Sequence, residues 1–164
     1  MAGLRGVVLS ALGGALLGAL LSGCAADPVA LDAPELSSSD AAACRDLVAA
    51  LPDEVNGQQR REVSGGPGAA WGDPAIVLTC GVRQPPGYTD TATCIEASGT
   101  GWYVPDAVLL SDDETLDATM TAVAVRPRVE VFLPGDYRPD GFLNTAGRIG
   151  AVVAGQLEEV LRCR

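Results

Sequence analysis

The side chains able to do chemistry in this 164-residue chain are carboxylates, arginines and thiols, because it contains neither His nor Lys. Without His there is no imidazole base, no Ser-His or Cys-His nucleophile pair and no His-ligated metal. Without Lys no Ser-x-x-Lys motif exists, and no Gly-x-Ser-x-Gly elbow occurs. Gly65 to Gly68 is glycine-rich but lacks the following Lys and Ser or Thr of a phosphate loop. Asp73, Glu96 and Glu130 would furnish a glycosidase-type acid and base only if two of them came within about 5–10 Å, and nothing in their spacing places them there. No catalytic residue is therefore assigned.

Binding chemistry has better candidates. Trp71-Gly72-Asp73-Pro74 joins an aromatic ring to a carboxylate, with Pro74 restricting Asp73 to extended geometry, which suits an edge that binds carbohydrate or peptide. The plainer reading is a turn organised by Asp73, with Trp71 covering a sheet. Arg60, Arg61, Arg126 and Arg128, gathered beside Glu130, would make a fork for carboxylates or phosphates; their plainer role is surface ion pairing, which typically contributes about 0–1 kcal/mol. The candidate binding edge is accordingly Trp71, Asp73, Arg60, Arg61 and Glu130. Asp112-Asp113-Glu114 with Asp117 is the densest acidic run and lacks the spacing of a calcium-binding EF-hand loop, so no metal or other cofactor is expected. Pro85-Pro86-Gly87-Tyr88 reads as a rigid loop.

Eleven basic residues, all Arg, stand against twenty-one acids, a net charge of −10. Such a surface repels phosphate backbones and anionic membranes, so nucleic acid is excluded as a partner. At the N-terminus, Arg5 precedes an apolar stretch from Gly6 to Leu21 broken only by Ser10, the pattern of a secretory signal. The stretch is short of the roughly 20 residues of a spanning helix. Leu21-Ser22-Gly23-Cys24 then matches the lipobox of bacterial lipoprotein precursors, which implies cleavage before Cys24 and a lipid on its thiol. Residues 1–23 are thus expected as a signal peptide, 24–39 as a flexible tether rich in Pro, Ser and acids, and 40–164 as one domain.

Of the remaining cysteines, Cys44, Cys80, Cys94 and Cys163, none forms a Cys-x-x-Cys pair, and an even count in an exported chain argues for two disulfides. Three pairings exist; the spacing favours Cys44 with Cys163 and Cys80 with Cys94 across one loop. Cys44, Leu47, Val48 and Leu51 fall at helical spacing in Ala41–Leu51, capped by Ser39 or Asp40 and stopped by Pro52. Strands are expected at 60–64, at 75–82 as the central strand, at 94–97 and 102–104 around a Ser98-Gly99-Thr100-Gly101 turn, at 115–125 and at 129–133. A loop at 134–140 and an amphipathic helix at 144–161 close the chain. The order of elements predicts an α+β domain, a small antiparallel sheet packed by an N-terminal and a C-terminal helix and stapled by disulfides.

Cys44 with Leu51-Pro52, Arg60-Arg61, Ala69-Ala70-Trp71-Gly72-Asp73-Pro74-Ala75, Cys80-Gly81-Val82, Cys94, Trp102, Val129-Glu130-Val131, Tyr137-x-Pro139 and Cys163 together resemble an actinobacterial lipoprotein family, domain of unknown function 3515. The chain departs from it before Trp102, where Ser98-Gly99-Thr100-Gly101 replaces the usual Asn-Gly turn. The resemblance implies an exported, lipid-anchored envelope protein encoded near a cell-wall precursor ligase, and it carries no catalytic residues. The function expected is a non-enzymatic binding or accessory module for envelope proteins or cell-wall precursors, held to the extracytoplasmic face of the membrane by the lipid on Cys24. A hydrolase or transferase working with carboxylates alone, and a purely structural surface lipoprotein, are the alternatives.

Overall fold

The computed structural model describes residues 27–161; the expected signal peptide, Cys24 and Cys163 lie outside them. In chain order the elements are β1 (Val29–Ala30), α1 (Ser38–Ala50), β2 (Glu54–Val55), β3 (Gln58–Arg61), β4 (Val63–Ser64), β5 (Gly68–Trp71), β6 (Ile76–Cys80), β7 (Cys94–Ala97), β8 (Thr100–Tyr103), α2 (Asp106–Leu109), β9 (Ala118–Ala122), β10 (Val125–Arg126), β11 (Val129–Leu133), a 3-10 turn (Gly135–Tyr137), α3 (Arg138–Gln156) and β12 (Glu158–Glu159). Eight strands form one antiparallel sheet in the order β2-β3-β5-β6-β11-β9-β8-β7. The α+β class is therefore correct, with more strands than the sequence patterns indicate. β6, the expected central strand, does lie at the middle of the sheet.

Alternation sorts the side chains into two faces. One row, Cys80, Val129, Ala122, Trp102 and Ile95, runs across five strands, with Leu78, Val131 and Met120 beside it. This face is covered by α1 and α3, which also pack on each other, and most of its members are fully buried. The expected helical stripe Cys44, Leu47, Leu51 supplies α1's share of the core. Its N-terminus is capped two or three residues earlier than expected, by Ser37, whose hydroxyl accepts the amide of Asp40 at 3.1 Å.

The disulfide joins Cys44 to Cys80, with Cα atoms 5.6 Å apart, which overturns both favoured pairings. Cys80 ends β6 on the helix-covered face, where α1 brings Cys44 directly above it. Cys94 begins β7, four strands away and in a row on the opposite face. At about 4.8 Å per strand that is ~19 Å, far beyond disulfide reach. Cys94 is itself disulfide-bonded.

Two further expectations are corrected. Part of the segment expected as a flexible tether is docked: Val29 and Leu31 donate backbone hydrogen bonds to Glu62 and Ser64, and Leu31 is only 7% exposed. The C-terminal helix begins at Arg138 instead of Asn144, because Pro139 sits in the first turn, where no amide is needed. It also ends earlier, at Gln156, which leaves Val160 and Leu161 exposed instead of inward.

Candidate functional site

Four of the five residues of the expected binding edge, Arg60, Arg61, Trp71 and Asp73, do come together, on β3, β5 and the turn after β5, but they are divided between the core and the surface. Trp71 is 0% exposed, on the helix-covered side of β5, and its indole Nε1 donates to the Pro52 carbonyl at 3.0 Å. Arg60 lies with its Cζ 6.0 Å from the centre of that ring and donates to the carbonyls of Val48 and Leu51, closing the C-terminus of α1. Both are occupied in holding the fold. Arg61 donates to the carbonyls of Gly72 and Asp27 and lies 3.8 Å from Asp73. Since Asp73 is 89% exposed, this is a weak surface pair on the β5–β6 turn.

Glu130 stands apart from these four. Its strand neighbours on the face away from the helices are Thr79 and Thr121, with Tyr103 beyond Thr121, and its side chain makes no hydrogen bond or ion pair among the described residues. On the β11 side that is three strands from Arg61, ~14 Å at the usual spacing. Burial pushes its carboxyl above the ordinary 4.5. A group whose folded-state value is raised contributes stability that is present below about 4.5 and lost as pH rises through the folded value. Glu130→Gln is therefore expected to raise the melting temperature at pH 7 and to lose that advantage below pH ~4. A Gln variant less stable than the parent at pH 7 would mean that the carboxylate has a favourable partner.

The acidic run is a built loop. Asp113 accepts both the amide and the hydroxyl of Thr115, which hold its carboxyl below the usual range, and Asp117 accepts the amide of Gly135 at 2.8 Å. No group of three metal-ligating side chains occurs among the described residues.

A concavity outside the expected binding edge lies beside α3. It holds about 450 Å³ between the β2–β3 turn and the start of α3, lined by Glu54, Asn56, Asp136, Tyr137, Pro139, Asp140, Asn144 and Arg148. Asn56 and Gly57 both have positive φ, 51° and 72°, the requirement of a tight type I′ hairpin. The turn is fastened to the helix: Asn56 Nδ2 donates to the Gly141 carbonyl at 3.2 Å and to Thr145 Oγ1 at 2.7 Å. A Cβ on Gly141 would collide with that nitrogen, so a larger residue here would displace the Asn56 side chain from its hydrogen bonds to the helix. Glu54 accepts from Gln59 Nε2 at 2.8 Å. Asp136, Asp140, Asn144 and Arg148 are exposed and have no partner among the described residues, and the Tyr137 ring offers an apolar surface between them. The cleft is thus preformed, mixed in charge and rich in free donors and acceptors.

A family model described as "Protein of unknown function (DUF3515)" matches residues 6–160. The chain belongs to this family. No curated protein and no solved structure matches it. Among the DUF3515 residues that carry the resemblance, the structure separates two roles. Cys44, Trp71, Cys80 and Trp102 are buried in the core, whereas Tyr137 and Pro139 line the cleft. The usable signals for this DUF3515 cleft were Asn56-Gly57 and Tyr137-x-Pro139, which the sequence keeps about 80 residues apart.

Proposed function

We propose that this DUF3515 chain is a cell-envelope lipoprotein, anchored through a lipid on Cys24 at the extracytoplasmic face, whose domain is a non-enzymatic binding module for cell-wall precursors. The observation that supports this reading best is the preformed cleft. An aromatic ring flanked by carboxylates, an amide and a guanidinium matches a ligand that carries hydroxyls, amides and an amine. Lipid anchoring raises the effective concentration of the cleft toward membrane-bound precursors.

The test is titration of the soluble mature domain with a disaccharide-peptide wall fragment. Saturable binding is expected, with Asp140→Asn and Asn144→Ala each weakening it roughly tenfold, the worth of one hydrogen bond to a charged or well-oriented group. Unchanged affinity in both variants, or no binding by the parent, overturns the reading. Anchoring is tested separately by labelled palmitate incorporation in cells, which Cys24→Ala is expected to abolish. One observation favours a second reading, a carboxylate hydrolase: Glu54, Asp136 and Asp140 share the cleft. Product release from the same fragment, abolished by Asp140→Asn, would favour it.

A further inference from the structure

Two hollows meet at the first turn of α3. Pro139 and Asp140 line the cleft described above, and they also line a groove of about 350 Å³. Helical spacing puts Gly141, Asn144 and Arg148 on the cleft side of α3, and Phe142 and Leu143 on the groove side. Five of the nine residues that line the groove are apolar: Val104, Leu109, Pro139, Phe142 and Leu143. Its walls are braced by Arg138. That guanidinium donates from Nη2 to the Val108 carbonyl at 2.6 Å, and from Nη1 to the carbonyls of Asp113 and Leu116 at 2.9 and 3.3 Å, which ties α2 and the loop before β9 to α3.

The two most exposed large apolar side chains among the described residues belong to this place. Leu143, 67% exposed, lines the groove, and Leu110, 77% exposed, stands between its lining residues Leu109 and Ser111. Apolar side chains left in water around a concavity mark a surface that something covers. A bilayer does not fit, because Glu114 and Asp140 line the same groove and would enter the membrane with the leucines. A narrow hollow that continues a polar cleft fits a slim apolar chain carried by the molecule in the cleft.

We infer that the ligand of this chain is an amphiphile, with its polar head in the α3 cleft and its apolar chain in the groove. The inference rests on the cleft reading above and narrows it: the class is a wall precursor still joined to a lipid carrier, and a water-soluble wall fragment supplies the head alone. Pro139 and Asp140 serve both hollows, so the chain has to cross only one helix turn, ~10 Å wide. Covering Leu109 and Leu143 with it removes apolar surface from water.

The experiment compares a disaccharide-peptide wall fragment with its octyl glycoside, each below its micelle concentration. Both are titrated calorimetrically into the mature protein in its Cys24→Ala form, which carries no lipid of its own. A methylene taken out of water is worth up to about fourfold in affinity, so the octyl chain, partly covered in an open groove, is expected to tighten binding roughly 10- to 100-fold. Leu143→Ser, at a position exposed enough to spare the fold, is expected to cut that gain by about threefold or more. Leu161→Ser, at an exposed leucine that does not line the groove, is expected to leave the gain unchanged.

Equal affinity of the two probes overturns the inference and leaves the cleft reading standing on the fragment's own binding. Failure of both probes to bind overturns the two together. A gain that survives Leu143→Ser, or that falls equally in Leu161→Ser, also overturns the groove. So does self-association of the parent that Leu143→Ser abolishes in the absence of any octyl gain, which would give the groove to a second copy. A gain missing from the lipidated protein would give it to the anchor's own acyl chain and overturn the inference likewise.

Discussion

The Cys44→Ala/Cys80→Ala double variant is expected to lose about 4 kcal/mol of stability. The bridge spans 36 residues, and restricting a loop of that length in the unfolded chain is worth about that much in the chain-entropy account. Domains of this size are stable by only about 5–15 kcal/mol, so the loss is a large share of the total and corresponds to a drop of roughly 10–20 °C in melting temperature. The position of the bridge adds to this. It ties α1, a helix of 13 residues that would be marginal alone, to the middle strand of the sheet. Thermal melts of the double variant measure the effect cleanly, since reducing agents would also act on the Cys94 disulfide. A melting temperature within about 2 °C of the parent would show that packing of Leu47 and Leu51 alone positions the helix.

Trp71→Ala is expected to cost about 3–5 kcal/mol, the range for deleting a large buried aromatic side chain. Three losses coincide: the filled volume under α1, the hydrogen bond to the Pro52 carbonyl and the surface beneath Arg60. Trp71→Phe keeps most of the volume but leaves that carbonyl without its donor, for an expected cost of about 1–3 kcal/mol. Urea unfolding measures both. Ligand affinity per folded molecule is expected to be unchanged, because Trp71 does not line the α3 cleft. A Trp71→Ala protein of parental stability that no longer captures ligand would restore Trp71 to the binding edge.

The strands differ in how plainly the sequence marks their buried faces. The inner strands β6, β9 and β11 are rich in apolar, Thr and β-branched residues, which marks them as strands in the sequence, and every second residue along each of them is buried. β5 does not alternate. Gly68, Ala69, Ala70 and Trp71 are all buried, because Leu31 lies over the face of Gly68 that the helices leave uncovered, and the period-2 signal vanishes when both faces are covered. The sequence therefore leaves Trp71 two readings, a binding edge or a cover for the sheet, and its burial supports the second. The bridge was misassigned for a related reason: nearness in sequence favoured Cys80 with Cys94, whereas the crossover after β6 carries Cys94 to the far edge of the sheet. The cleft escaped because its walls are far apart in the chain, Asn56 meeting Gly141 across 85 residues. Hydrophobic periodicity reports which face of an element is buried, and it carries no record of which loop meets which helix.

The pairing of β1 with β4 sets a leash. A lipid on Cys24, as proposed, would be joined to the docked Val29 through four intervening residues, or five Cα–Cα steps, a contour of at most ~17 Å. That is about two screening lengths in physiological salt, so repulsion between the acidic domain and an anionic bilayer would act at close approach and be largely screened at the full reach of the connection. The farthest standoff would then be set by chain length and not by diffusion of a floppy arm. Inserting Gly-Ser units between Cys24 and Val29 would lengthen the arm and dilute the cleft at the membrane surface without altering a single residue of the fold.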